Sequence, residues 1–222
     1  MSKRRVGSVF VVLGAVLMLS ALLLFVYNQM EAEKAGDAAG AALSQLQEAM
    51  NENKPPMLEL SEEGEGEAQE TSEPEMTIPT ELTVVNIDGY DYIGYLSIPY
   101  YEIELPIMDR ITEDRLHVAP CLQYGSPLED DAVIAGHNYK THFLCLHEIE
   151  VGEYLTFTTM SGYEIEYGVV VVRIITPTNV AAVQNSDHDL VLYTCTSGGQ
   201  SRVAVFCDRL EDIPAVAEQK DK

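Results

Sequence analysis

An all-β domain of eight strands, a barrel or sandwich, carried behind an N-terminal transmembrane helix and an acidic linker, is the architecture this sequence predicts. Three observations predict it. Residues 6–27 form an uncharged apolar run, residues 55–80 contain repeated Glu and no Lys or Arg, and from Leu82 onward eight short runs rich in β-branched and aromatic residues follow one another. The chain has 222 residues, 13 Lys+Arg against 36 Asp+Glu and a net charge of −23, which argues against a nucleic-acid partner that needs phosphate-neutralising cations. With 46% hydrophobic residues it can bury a core, so the chain as a whole is not disordered.

Val6 to Tyr27 spans about 30 Å as a helix, the thickness of a bilayer core, and continues through Leu22-Leu23-Leu24-Phe25 without a small-residue cleavage site, so a retained anchor is expected. Lys3, Arg4 and Arg5 precede it and Glu31 and Glu33 follow, which predicts a cytoplasmic N-terminus (residues 1–5) and an exported C-terminal domain. Residues 28–81 read as a juxtamembrane helix, with Leu43, Leu46 and Met50 at helical spacing and no strong apolar face, and then an extended acidic spacer. The β domain is expected over 82–213, in the runs LTVVNI, YIGYLSI, IELPI, AVIAGH, YLTFTT, YEIEYGVVVVRII, LVLYTC and RVAVFC, with a hairpin at Met160-Ser161-Gly162 and a tail at 214–222.

Four cysteines, Cys121, Cys145, Cys195 and Cys207, form no CxxC pair and match no zinc-ribbon spacing. In an exported domain two disulfides are the default, but nothing selects a pairing. Cys195 ends the apolar run Leu190-Val191-Leu192-Tyr193, where a buried strand opens into the loop Thr196-Ser197-Gly198-Gly199, expected to be flexible. Gly136-His137-Asn138 likewise delivers an imidazole at a strand mouth, and Arg202 opens the last strand. Together they offer a nucleophile, a base and a cation for an oxyanion. Arg209 competes with Arg202 but lies about 20 Å farther along an extended strand. Cys207 reads as core and Cys121 as core or loop. His142, Cys145 and His147 could supply three zinc ligands, but the run Phe143-Leu144-Cys145-Leu146 reads as a short apolar segment under the rim. His117 and His188 read as surface or satisfied histidines, and no calcium site is expected among the scattered acids.

The ordered set Gly136-His137-Asn138, Leu192-Tyr193-Thr194-Cys195 and Arg202, with Gly94-Tyr95-Leu96-Ser97-Ile98-Pro99 and Leu105-Pro106-Ile107 upstream, resembles the sortases, membrane-anchored cysteine transpeptidases of mainly Gram-positive bacteria. The likeness extends over about Tyr92 to Leu210. It implies an eight-stranded sortase-like β-barrel with short helices. It also implies that Cys195 attacks an LPXTG-like sorting signal in a peptidase-like first step, His137 protonates the departing amine, Arg202 steadies the oxyanion, and Thr194 supports the oxyanion or holds substrate. The acyl group then passes to an amine of peptidoglycan or a pilin, with no cofactor. The linker lacks the aspartate-aromatic plug of pilus-building sortases, and a class D-like or class B-like member fits best. Two competitors stand beside this reading. An L,D-transpeptidase would have His and Gly directly before its cysteine, where this chain has Tyr193-Thr194; a non-catalytic surface module binding a sorting peptide or wall polymer would have an unreactive Cys195.

Overall fold

The computed structural model describes residues 3–52, 79–179 and 181–212. The expected acidic spacer and the C-terminal tail fall almost wholly outside the described residues.

The first element, α1, runs without a break from Lys3 to Glu52, about 75 Å of helix. Its first half leaves Phe10, Leu17, Leu24 and Phe25 exposed, and among the described residues it is the one helix long and apolar enough to cross a membrane. Its second half docks on the β domain through Ala35, Ala39, Ala42 and Leu46, all buried. These recur at the four-and-three spacing of one helix face. Sequence reading had placed the apolar positions at Leu43, Leu46 and Met50; the seam is instead made mainly of alanines, because small side chains let two backbones approach. Gly36 lies on the same seam, where an added Cβ would come within 2.6 Å of Thr141 Cγ2.

The strands are β1 (Val85–Ile87), β2 (Tyr90–Ile98), β3 (Ile103–Met108), β4 (Cys121–Tyr124), β5 (Ala132–Ala135), β6 (Tyr154–Thr159), β7 (Glu164–Ile175), β8 (Leu190–Cys195) and β9 (Arg202–Arg209), with short helices α2 (Glu113–Leu116) and α3 (Ala181–Gln184). Eight of them close into a barrel in the order β2-β3-β4-β5-β8-β9-β7-β6, with β6 pairing back onto β2. The expected count of eight holds for the barrel, but its membership differs. β1 is a ninth strand hung on β2 through the two-residue turn Asp88-Gly89, both at positive φ. β4, absent from the sequence reading, takes its place in the closed sheet. All-β describes the barrel; the chain also carries the 50-residue α1.

Closure depends on one glycine. Gly94 pairs with Ile107 on one side and Thr159 on the other, and a Cβ there would lie 2.1 Å from the Thr158 carbonyl oxygen. The expected hairpin joins β6 to β7, with Gly162 at φ 82°.

Inside the barrel, Leu96, Ile98, Ile107, Ile134, Phe157, Tyr167, Leu192 and Val205 belong to one buried cluster. Two smaller clusters cover its outside: Tyr92, Met108 and Cys121 under Leu46 of α1, and Val133, Val191, Ala204 and Phe206 under Val183 of α3. β5 and β8, parallel neighbours, are therefore buried on both faces, which is why Ala132-Val133-Ile134-Ala135 and Leu190-Val191-Leu192 read as unbroken apolar runs.

Candidate active site

Parallel pairing sets Ala135 opposite Tyr193, so β5 and β8 end side by side, the first delivering His137 and the second Cys195. Two hydrogen bonds hold the mouths together: Gly136 N–H donates to the Tyr193 carbonyl (3.2 Å), and the Thr194 hydroxyl donates to the Gly136 carbonyl (2.8 Å). Gly136 is required there, because a Cβ would meet the Phe143 ring at 2.6 Å. Thr194 is 1% exposed with its hydroxyl engaged, so its side chain sits under the rim rather than in the cleft.

On the other side, antiparallel pairing puts Cys195 directly opposite Arg202. Cross-strand partners share a sheet face with Cβ atoms about 5 Å apart. Thiol and guanidinium thus flank one another at the open end of the ladder, and both are partly exposed. The loop between them is closed by its own hydrogen bonds rather than loose: Thr196 N–H donates to Ser201 O (2.9 Å), Ser201 N–H to Thr196 Oγ1 (3.1 Å) and Gly199 N–H to Thr196 O (2.7 Å). Gly198 and Gly199, at φ 88° and 73°, supply the turn. Arg202 Nη1 donates to the Gly199 and Ser201 carbonyls, both at 3.0 Å, which fixes the guanidinium against this loop. Beside Arg202 opens a cavity of about 120 Å³ lined by Gln123, Ile175, Thr176, Asn179, Val183 and Tyr193. The Tyr193 hydroxyl donates to Gln123 Oε1 across its wall.

All four cysteines are free thiols, so the default of two disulfides is not met: Cys121, Cys145 and Cys207 are buried, Cys145 and Cys207 in the barrel cluster and Cys121 in the cluster under α1. Burial pushes the Cys121 thiol up to about 12 and Cys145 up to about 11, and drives Cys207 upward as well. None of these three can present a thiolate near neutrality. Cys195 is the partly exposed one.

His137 is partly buried, and its Nε2, out of contact with solvent, makes no hydrogen bond. Burial, then the neighbouring His117, lowers its pKa below the ordinary 6.5, while Glu113 and Glu31 act in the opposite sense. Arg209 sits at the far end of β9, where it pairs with Asp130 and donates from Nη2 to the Pro127 carbonyl (3.1 Å).

Two histidines take roles that sequence reading missed. His147 Nε2 donates to the Cys195 carbonyl at 3.0 Å, a bond across 48 residues with no local signal. His117, read as a surface or satisfied group, lies with its ring 5.0 Å from that of His137. His188 is satisfied, by Asp208 at 2.8 Å. His142, Cys145 and His147 do not converge: Cys145 Sγ contacts the His142 carbonyl, His147 turns to Cys195, and no group of three metal-binding side chains gathers among the described residues.

The Sortase domain family matches residues 96–210, just over half of the chain. Among solved structures, sortase A of Corynebacterium diphtheriae is similar in fold, with a TM-score of 0.51 and 23% identity over 56% of this chain and 63% of that one. Sortase C1 of Streptococcus agalactiae gives 0.49 and 26% over 56% and 70%, and a sortase D5 transpeptidase of Clostridium perfringens 0.48 and 21% over 53% and 78%. Comparison with curated protein sequences finds no match. On the family match across its barrel, the chain belongs to the sortases, a family of cysteine transpeptidases.

Proposed function

We propose that this sortase is anchored by α1 with its N-terminus cytoplasmic and its barrel outside the cell, and that it cleaves an LPXTG-like sorting signal with Cys195 and transfers the acyl group to an amine of peptidoglycan or a pilin. The observation that carries the reading is the direct cross-strand pairing of Cys195 with Arg202 beside the strand that delivers His137.

The Cys195 thiolate adds to the scissile carbonyl, and the negative charge that develops on oxygen is stabilised by the Arg202 guanidinium. Collapse breaks the C–N bond as His137 gives its proton to the departing amine, leaving a thioester on Cys195. An acceptor amine then attacks the thioester, loses its proton to His137, and releases the thiolate with a new amide formed. The cavity beside Arg202, about 120 Å³, has room for one small side chain of the signal peptide. Thr194 serves by tying β8 to β5 under the rim.

Incubating the full chain with LPXTG-like peptides and amine acceptors tests the reading by mass. A peptide adduct on Cys195 that passes to the amine is expected, absent in Cys195→Ala and strongly reduced in His137→Ala. Failure across a broad peptide library would favour a binding module instead.

A further inference from the structure

The docked half of α1 rests on the segments that surround His137. Thr141, four residues beyond His137, donates from Oγ1 to the Ala32 carbonyl at 3.4 Å and packs against Gly36. One turn nearer the membrane, Glu31 Oε1 lies 3.6 Å from His117 Nδ1, an ion-pair separation just beyond hydrogen-bond length. Glu113 Oε1 lies 3.9 Å from the other ring nitrogen, Nε2. Two carboxylates from two helices therefore bracket one imidazole. The bracketed ring is set 5.0 Å from His137, tilted by 36°, while Tyr139 stacks on the same His137 ring at 4.8 Å.

We propose that His117, held between Glu31 of the anchor helix and Glu113 of α2, is a positioning residue for His137, so that the docked anchor helix is a working part of the active site. The inference rests on the assignment of His137 as the acid. The charged and titratable groups that face this histidine are Glu31 of α1, Glu113 of α2, His117 at the C-terminal cap of α2, and Tyr139 and His142 of its own loop, with Tyr27 of α1 acting in turn on Tyr139. Burial and His117 oppose a charge on His137, and Glu31 and Glu113 offset part of that effect. A helix that emerges from the bilayer and contributes one of these carboxylates couples the seating of the barrel on its anchor to the proton affinity of the acid.

Proton NMR of the histidine rings in the full chain, held in nanodiscs and titrated with pH, reads His137 directly. His117→Phe keeps a ring in the contact and removes its charge, and is expected to raise the His137 midpoint. Gly36→Leu forces α1 away from Thr141, takes Glu31 with it, and is expected to shift the midpoint. Glu31→Gln is expected to shift the His137 ring resonances at fixed pH, whereas Glu33→Gln, exposed on the same helix, leaves them in place. In turnover assays with LPXTG-like peptides, the alkaline limb of the pH profile should follow the NMR midpoint in each variant. An unchanged His137 titration in His117→Phe overturns the proposal. A shift in His117→Phe with none in Glu31→Gln or Gly36→Leu overturns the part given to the anchor helix. The NMR midpoints do not depend on turnover, so a chain that transfers no peptide yet shows these shifts counts against the transpeptidase reading alone.

Discussion

The β8–β9 ladder carries a cysteine and an arginine at each of its two ends. At the open end Cys195 faces Arg202, both partly exposed, next to the strand mouth of His137. At the closed end Cys207 faces Leu190 and is fully buried, while Arg209 is engaged by Asp130 and the Pro127 carbonyl, and its backbone N–H donates to Asp189 at 2.8 Å. The residue types are the same and their separation along the strand is short. What differs is solvent and prior commitment: one thiol is partly open to solvent and one is sealed from it, and one guanidinium faces a cavity while the other closes a structural network. A pair of reactive residue types becomes a site only where burial and partners leave it available.

The difference can be broken from either end. The largest effect is expected from Cys195→Ala, which should lower peptide transfer by about 10⁴-fold or more. Cys207→Ala should leave transfer intact and cost about 1 kcal/mol of stability, measured by urea unfolding. Next, Arg202→Ala should reduce kcat/KM by about 10²- to 10³-fold, as loss of an oxyanion donor does. Arg209→Ala should instead keep kcat/KM and lose about 1 kcal/mol of stability, since it gives up its hydrogen bonds to Asp130 and to the Pro127 carbonyl, which the Tyr167 hydroxyl still serves.

The same contrast runs through one loop that holds two histidines. His142 is fully buried, and burial pulls its pKa down to about 4, with the His137 charge acting the same way and the Ala35 and Val118 backbones opposing it as lesser influences. Its folded value lies below the unfolded 6.5, so between those limits the unfolded chain binds the extra proton. Stability should therefore fall as pH drops from about 6.5 to about 4, by up to about 3 kcal/mol from this group. Urea midpoints at pH 7 and pH 5 check it, and His142→Leu should flatten the dependence. The smallest effect belongs to Thr194→Val, which removes the 2.8 Å bond to Gly136 and should cost about 1 kcal/mol, with Thr194→Ser retaining it.

Much of this was legible in the sequence, because strands buried on both faces announce themselves as apolar runs and the residues that follow them fall at the rim. The strand-mouth positions of Cys195, His137 and Arg202 were legible in that way, and reach along an extended strand separates Arg202 from Arg209 at the opposite end of β9. β4 was missed because Cys121–Tyr124 is four residues long, follows a proline and shows only one fully buried position. The docking of α1 was missed because its seam is built from Ala35, Ala39 and Ala42, which a search for large apolar side chains passes over. His117 and His147 act through contacts made across 20 and 48 residues, to His137 and to the Cys195 carbonyl, and no local pattern encodes them.

Site-resolved alkylation of the folded full chain tests most directly whether only one end of the ladder is open to chemistry. Brief treatment with iodoacetamide at neutral pH, followed by peptide mapping, is predicted to label Cys195 and leave Cys121, Cys145 and Cys207 unmodified until the chain is denatured. Labelling of Cys207 at a rate comparable to Cys195, or a Cys195 that resists alkylation while the barrel stays folded, would contradict the account.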